Sequence, residues 1–318
     1  MQLAVIVHDG AVRKPARVVV ASVVLAGAVA ACSSGTAVEG EGGVSTGELA
    51  AEYALPFGLA QVEGTVPVAR PAVAEQVTSL FNGEPVNSTS LRAAYWVTGS
   101  PREVMATWSE QFAELGVAEI AVTMPPPNES TVPTPWMELS AHSSGPASSS
   151  VEAKLWATTD EPLLLVEVHL APDAVPVAVA TSELPELPAA PTPISVALAS
   201  EGDEVFGPRG AEVHLPTGAT QVMPDVPSVS GTDGDVVMLR TADPLGTVQA
   251  LVQEAYDFNE ARPQHEPGWI DGPHEGELDG STTVAARFSS GSGGWGFTVL
   301  ASQAPEDLAS VWVRTHAD

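Results

Sequence analysis

Two stretches of the chain repeat apolar residues every three or four positions, and each follows a start signal for a helix. Val104, Trp108, Phe112 and Leu115 share one face of a helix opening at Ser100 as N-cap, with Pro101 at the first helical position and Glu103 completing a capping box. Val248, Leu251, Val252 and Ala255 do the same behind Asp243 and Pro244. Elsewhere the pattern alternates with period two, which predicts strands. These are Val151–Thr158 and Leu163–Leu170 after the first helix, and Thr283–Ser290 and Trp295–Ala301 after the second. Short alternations close each half, at Val175, Val177 and Val179 and at Val311 and Val313.

Laid over each other, the halves agree in order. Trp96-Val97-Thr98-Gly99-Ser100-Pro101 matches Leu239-Arg240-Thr241-Ala242-Asp243-Pro244, and Trp136 matches Trp269. The shared order predicts an α+β fold of two tandem duplicated units, each a mainly antiparallel sheet with one covering helix. The units span residues 53–180 and 205–318. A Pro/Glu-rich linker, 181–204, joins them and carries Glu183-Leu184-Pro185 followed by Glu186-Leu187-Pro188.

The N-terminus follows another pattern. Arg13, Lys14 and Arg17 precede Val18–Ala31, where nothing is charged and only Ser22 is polar. A basic flank before an apolar run is the layout of a signal peptide. As a helix the run rises only about 21 Å, short of the roughly 30 Å a bilayer core requires. It ends in Val29-Ala30-Ala31-Cys32-Ser33-Ser34, which resembles the lipobox of bacterial lipoproteins. The resemblance, confined to this segment, implies cleavage after residue 31 and a diacylglycerol and fatty acid on Cys32, the only covalent group predicted. It implies a protein anchored in the cell membrane on its extracytoplasmic face. Met1–Val12, partly apolar and carrying Asp9, are an unusual prelude to such a signal, so translation is expected to start downstream of Met1. Residues 32–52 are rich in Gly, Ser, Thr and Glu and read as a flexible tether reaching about 25 Å.

Charge and cysteine usage narrow the function further. Cys32 is the only cysteine, so its acylation leaves no thiol for disulfides, nucleophilic catalysis or Cys-ligated metal. The formal charge of −28 repels nucleic acid and anionic headgroups. The membrane, through the lipid anchor, and an unknown ligand or envelope protein are the partners that remain.

Three constellations are candidates for chemistry. Ser290-Gly291-Ser292-Gly293-Gly294 is Gly-rich but lacks GxSxG spacing and matches Thr158–Pro162 of the first half, so it reads as a turn. Gln264–Gly280 reads as an acidic loop, in which His265, Asp271, His274 and Glu275 are competent metal ligands. Its ligand spacing is undefined, which predicts only diffuse association of divalent cations. Trp136 with His142, and Trp269 with His274, recur in both halves and are the candidate ligand-binding residues. Glu167 and His169 alternate with Leu164, Val166 and Val168 and are expected on a solvated face; His214 stands at a strand end without a recognisable partner. The reading that follows is a non-catalytic, lipid-anchored envelope protein that binds a ligand or partner. An extracellular metal- or carboxylate-dependent hydrolase and a structural envelope component are the alternatives.

Overall fold

Ser100 and Asp243 cap the two helices as their sequences dictate. The Ser100 hydroxyl accepts from the Glu103 N–H at 3.4 Å and opens α1 (Pro101–Leu115), which stops at Gly116 in the left-handed region, φ 66°. Asp243 Oδ1 accepts from the Gly246 N–H at 2.9 Å and opens α2 (Pro244–Glu260). The computed structural model describes residues 53–79, 85–117, 119–124, 133–143, 149–171, 184–206, 213–226, 233–260, 270–278, 280–289, 296–305 and 307–316. The signal peptide, Cys32, the tether, His265, Trp269 and the Val175–Val179 alternation lie outside them. No helix among the described residues is long and apolar enough to cross a membrane.

The strands are β1 (Thr65–Pro67), β2 (Ala72–Ser79), β3 (Pro85–Val97), β4 (Ala121–Thr123), β5 (Met137–His142), β6 (Ser150–Trp156), β7 (Leu163–Leu170), β8 (Glu204–Phe206), β9 (Val213–His214), β10 (Ala219–Gln221), β11 (Asp233–Thr241), β12 (Ile270–Leu278), β13 (Ser281–Ser289), β14 (Gly296–Gln303) and β15 (Ala309–His316). The first sheet runs β1-β3-β7-β6-β5-β4, with β2 also paired to β3; the second runs β10-β11-β15-β14-β13-β12; β8 and β9 form a third, two-stranded sheet. All the strand pairs are antiparallel.

This corrects the α+β expectation. Among the described residues strand accounts for 47 % and helix for 16 %, with two α-helices against three sheets, so the fold is mainly β. The physical reason is that the halves do not each close on a helix, because the large sheets also bury a face against one another. Ala94, Trp156, Leu163 and Leu165 of the first sheet meet Met238, Leu300 and Trp312 of the second in a shared apolar cluster. The opposite face of the first sheet packs Leu91, Tyr95, Leu155 and Val166 with Trp108 and Phe112 of α1. That of the second packs Val237, Val299, Phe297 and Val311 with Val248 and Leu251 of α2. Each central strand therefore has two buried faces, which is why its polar alternation marks a second interface and not solvent.

Strand matching between the halves shifts by one position. The strand orders place β6 where the second sheet has β14, and β7 where it has β15. The stretch 151–158 therefore does not correspond to 283–290, because β12 (Ile270–Leu278) occupies what reads in sequence as an acidic loop. The connection matching 290–294 in topology is 143–149, not Thr158–Pro162.

Candidate functional site

Arg70, two residues before β2, reaches from the first sheet to the second. Its Nη2 donates to Ser281 Oγ at 3.2 Å, Nη1 lies 3.7 Å from Asp307 Oδ2, and the guanidinium sits 5.6 Å from the centre of the Tyr53 ring. Beside it opens a cleft of about 150 Å³ lined by Tyr53–Pro56, Arg70, Pro71, Val73, Leu278, Ser281 and Ser302. Four parts of the chain form it: the entry segment, the start of β2, the facing ends of β12 and β13, and the end of β14. Phe57, next to the rim, has φ 65°, a left-handed conformation costly for a non-glycine residue, which fixes the turn at Pro56–Gly58. Burial, followed by the charge of Asp307, raises the Tyr53 hydroxyl above its ordinary value, while Arg70 and Arg240 oppose this; the phenol therefore stays protonated and able to donate. The arrangement offers one cation and hydroxyl groups beside apolar walls, which suits a small molecule with an anionic end and an apolar body.

A second polar cluster lies between the sheets. Arg92 Nε is 3.2 Å from Glu167 Oε2, and Arg314 of β15 reaches Glu167 Oε1 at 3.0 Å and Glu152 Oε2 at 3.6 Å. Lys154 Nζ meets Glu152 Oε1 at 2.8 Å, and Arg92 donates to Thr298 Oγ1 at 3.4 Å. Burial disfavours the charged Glu167, but Arg314 and Arg92 outweigh it and hold the carboxyl below its ordinary range. The solvated-face expectation is thereby corrected for Glu167, which Arg314 of the second sheet covers, while His169 is half-buried. His169 Nδ1 shares a hydrogen bond with Ser90 Oγ at 2.8 Å; burial, then Arg92, lowers its pKa and keeps it neutral. These contacts tie the two sheets together.

The residues named from sequence are dispersed. Trp136, half-buried before β5, donates Nε1 to the Pro188 carbonyl at 3.0 Å, and His142 is exposed at the end of β5 opposite Ser150. Asp271, His274 and Glu275 sit on β12 opposite Arg287, Ala285 and Val284, so this part of the acidic stretch is a strand and not a loop. Among the described residues, no three His, Cys, Asp or Glu side chains are grouped to hold a metal ion. His214 has a partner forty residues away that spacing does not reveal: its Nδ1 meets Glu254 Oε1 of α2 at 2.6 Å. Arg70, Tyr53 and Ser281 escaped sequence reasoning because only tertiary packing brings them together; the one signal was an arginine before a strand in a chain of few cations.

The described residues thus define the class: a mainly β protein of two large stacked antiparallel sheets with a small cleft at their junction. No family model, curated protein or solved structure matches the chain.

Proposed function

We propose that the chain is a lipid-anchored, extracytoplasmic binding protein. Cys32 carries the anchor, and the cleft beside Arg70 holds a small amphipathic anion without transforming it. The observation that supports this reading most is the Arg70 guanidinium at the sheet junction, flanked by the Ser281 hydroxyl and the apolar surfaces of Leu55, Pro56, Pro71 and Leu278. Asp307 is a poor competitor for it, since a 3.7 Å, partly exposed ion pair contributes about 0–1 kcal/mol. The cleft lies beside Tyr53, where the tether ends, so the ligand would be held near the membrane surface.

Two arms test the proposal. Metabolic labelling with an alkyne fatty acid should mark the wild-type chain and leave Cys32→Ser unlabelled, because no other thiol exists to be acylated; equal label on both would remove the anchor. Short-chain N-acyl amino acids screened by thermal shift should stabilise the wild type, and Asp307→Asn more strongly, while Arg70→Ala loses the response. A response indifferent to both substitutions would move the ligand elsewhere.

A further inference from the structure

The linker segment Leu184-Pro185-Glu186-Leu187-Pro188 belongs to no helix or strand, yet it is seated on the first sheet. Leu184 is buried in the core beneath α1 and Leu187 packs against that core, while Pro185 and Glu186 face solvent. The two leucines that face the core are three residues apart, the spacing of a polyproline II turn and of the doubled Glu-Leu-Pro sequence, and Pro188 is half-buried beside them. Two side chains from separate elements read its backbone. Arg102, in the first turn of α1, donates Nη2 to the Leu184 carbonyl at 2.8 Å and Nε to the Pro185 carbonyl at 3.4 Å. Trp136 donates its indole N–H to the Pro188 carbonyl at 3.0 Å. A polyproline helix has no internal hydrogen bonds, so its carbonyls are free to be read in this way, and aromatic-lined grooves are the usual readers of such segments.

We propose that the groove between the start of α1 and the start of β5 is a recognition site for proline-rich peptides of the pattern Leu-Pro-x-Leu-Pro. The chain's own linker fills it in cis, and a partner protein exposing such a segment displaces the linker. Two features of the seated segment argue for recognition beyond anchoring. The donors grip the first and last carbonyls of a repeated motif, and the outward residues make no demand on the groove, so an incoming peptide needs only the two leucines and the backbone. The cis linker competes at an effective concentration of about millimolar, which weakens any trans peptide in the resting protein.

The test uses the full chain, purified in detergent, and a fluorescein-labelled synthetic peptide of residues 182–189. The Leu184→Gly/Leu187→Gly double variant, which loosens the linker, should bind the peptide saturably and at least tenfold more tightly than the wild type. Adding Trp136→Phe, which keeps the ring but removes the donor, should reverse most of that gain. A folded double variant with no saturable binding up to millimolar peptide, or binding indifferent to Trp136→Phe, would overturn the proposal and leave the segment a structural strap. Should the double variant not fold, the wild type is titrated with millimolar unlabelled peptide while the Trp136 indole N–H is followed by NMR hydrogen exchange. Exchange that slows progressively and saturably with peptide, as the peptide depletes the open groove, supports displacement; an unchanged rate contradicts it.

Discussion

Glu167 is the residue on which most of the charge between the sheets turns. It compensates Arg92 of its own sheet and Arg314 of the other at 3.2 and 3.0 Å. Replacing it with Gln leaves two guanidiniums buried without that charge, and Glu167→Gln should cost about 3–5 kcal/mol in urea unfolding. A cost below about 1 kcal/mol would show the cluster to be solvated. The pH dependence follows from the same groups. The Glu167 carboxyl is depressed in the folded state, so its contribution is complete above about pH 4.3 and lost as the pH falls through its lowered value. His169, also depressed, contributes fully above about pH 6.5 and less below it. Asp225 acts in the other direction. Burial raises it to about 6, against a hydrogen bond from Gln221, so its contribution is present below the ordinary aspartate value and lost as the pH rises through 6. Urea midpoints measured from pH 7 to 3 should fall overall, with the steepest loss below pH 4 absent in Glu167→Gln. Tyr95 supplies a contrasting test: its hydroxyl is buried without a hydrogen-bond partner among the described residues, so Tyr95→Phe should be neutral or stabilising by up to about 1 kcal/mol. A loss above 1 kcal/mol would mean that the hydroxyl is satisfied. Sequence alternation put Glu167 on the face opposite Leu164 and Val166, as found. What covers that face, Arg314 and Trp312, comes from the other end of the chain, beyond any local pattern.

At the scale of elements, local signals were read well where a cap or a period acts alone. Ser100 and Asp243 cap their helices, and Val104, Trp108 and Phe112 form the buried face of α1. Ser100→Ala should cost about 0.5–1 kcal/mol, toward the low end because the capping bond is 3.4 Å long; no change in the unfolding midpoint would show the cap to be idle. Gly64 and Gly99 are equally specific: a Cβ on Gly64, whose φ is 78°, would meet the Gly99 Cα at 3.0 Å, so the crossing before α1 admits only glycine. β12 departs from what its local sequence predicts. Its glycine, proline and carboxylates argue for a loop, and the register does slip between Asp271 and His274, but β13 supplies a complete hydrogen-bonding edge that overrides propensity. Missing that strand displaced the strand matching of the two halves by one position. The linker was readable as extended, while its seat on Trp136 and Arg102 was not, because those donors lie 52 and 82 residues from the carbonyls they meet.

At the scale of the molecule, strand patterns on either side of the linker were legible but the way the sheets stack was not, and the stacking creates the cleft. Arg70, Tyr53, Ser281 and Ser302 come from segments that share no motif and become neighbours only when the sheets pack. The formal charge of −28 sharpens the proposal, since an anionic ligand approaches against the field of the protein and must be drawn by a local cation and apolar contact. Binding should consequently strengthen as salt screens the long-range repulsion, up to the point where it screens Arg70 as well. Isothermal calorimetry of N-acyl amino acids against wild type, Arg70→Ala and Asp307→Asn decides whether Arg70 holds the ligand. One site per chain is expected, abolished in Arg70→Ala and tightened several-fold in Asp307→Asn; stoichiometric binding that survives unchanged in Arg70→Ala would place the ligand elsewhere.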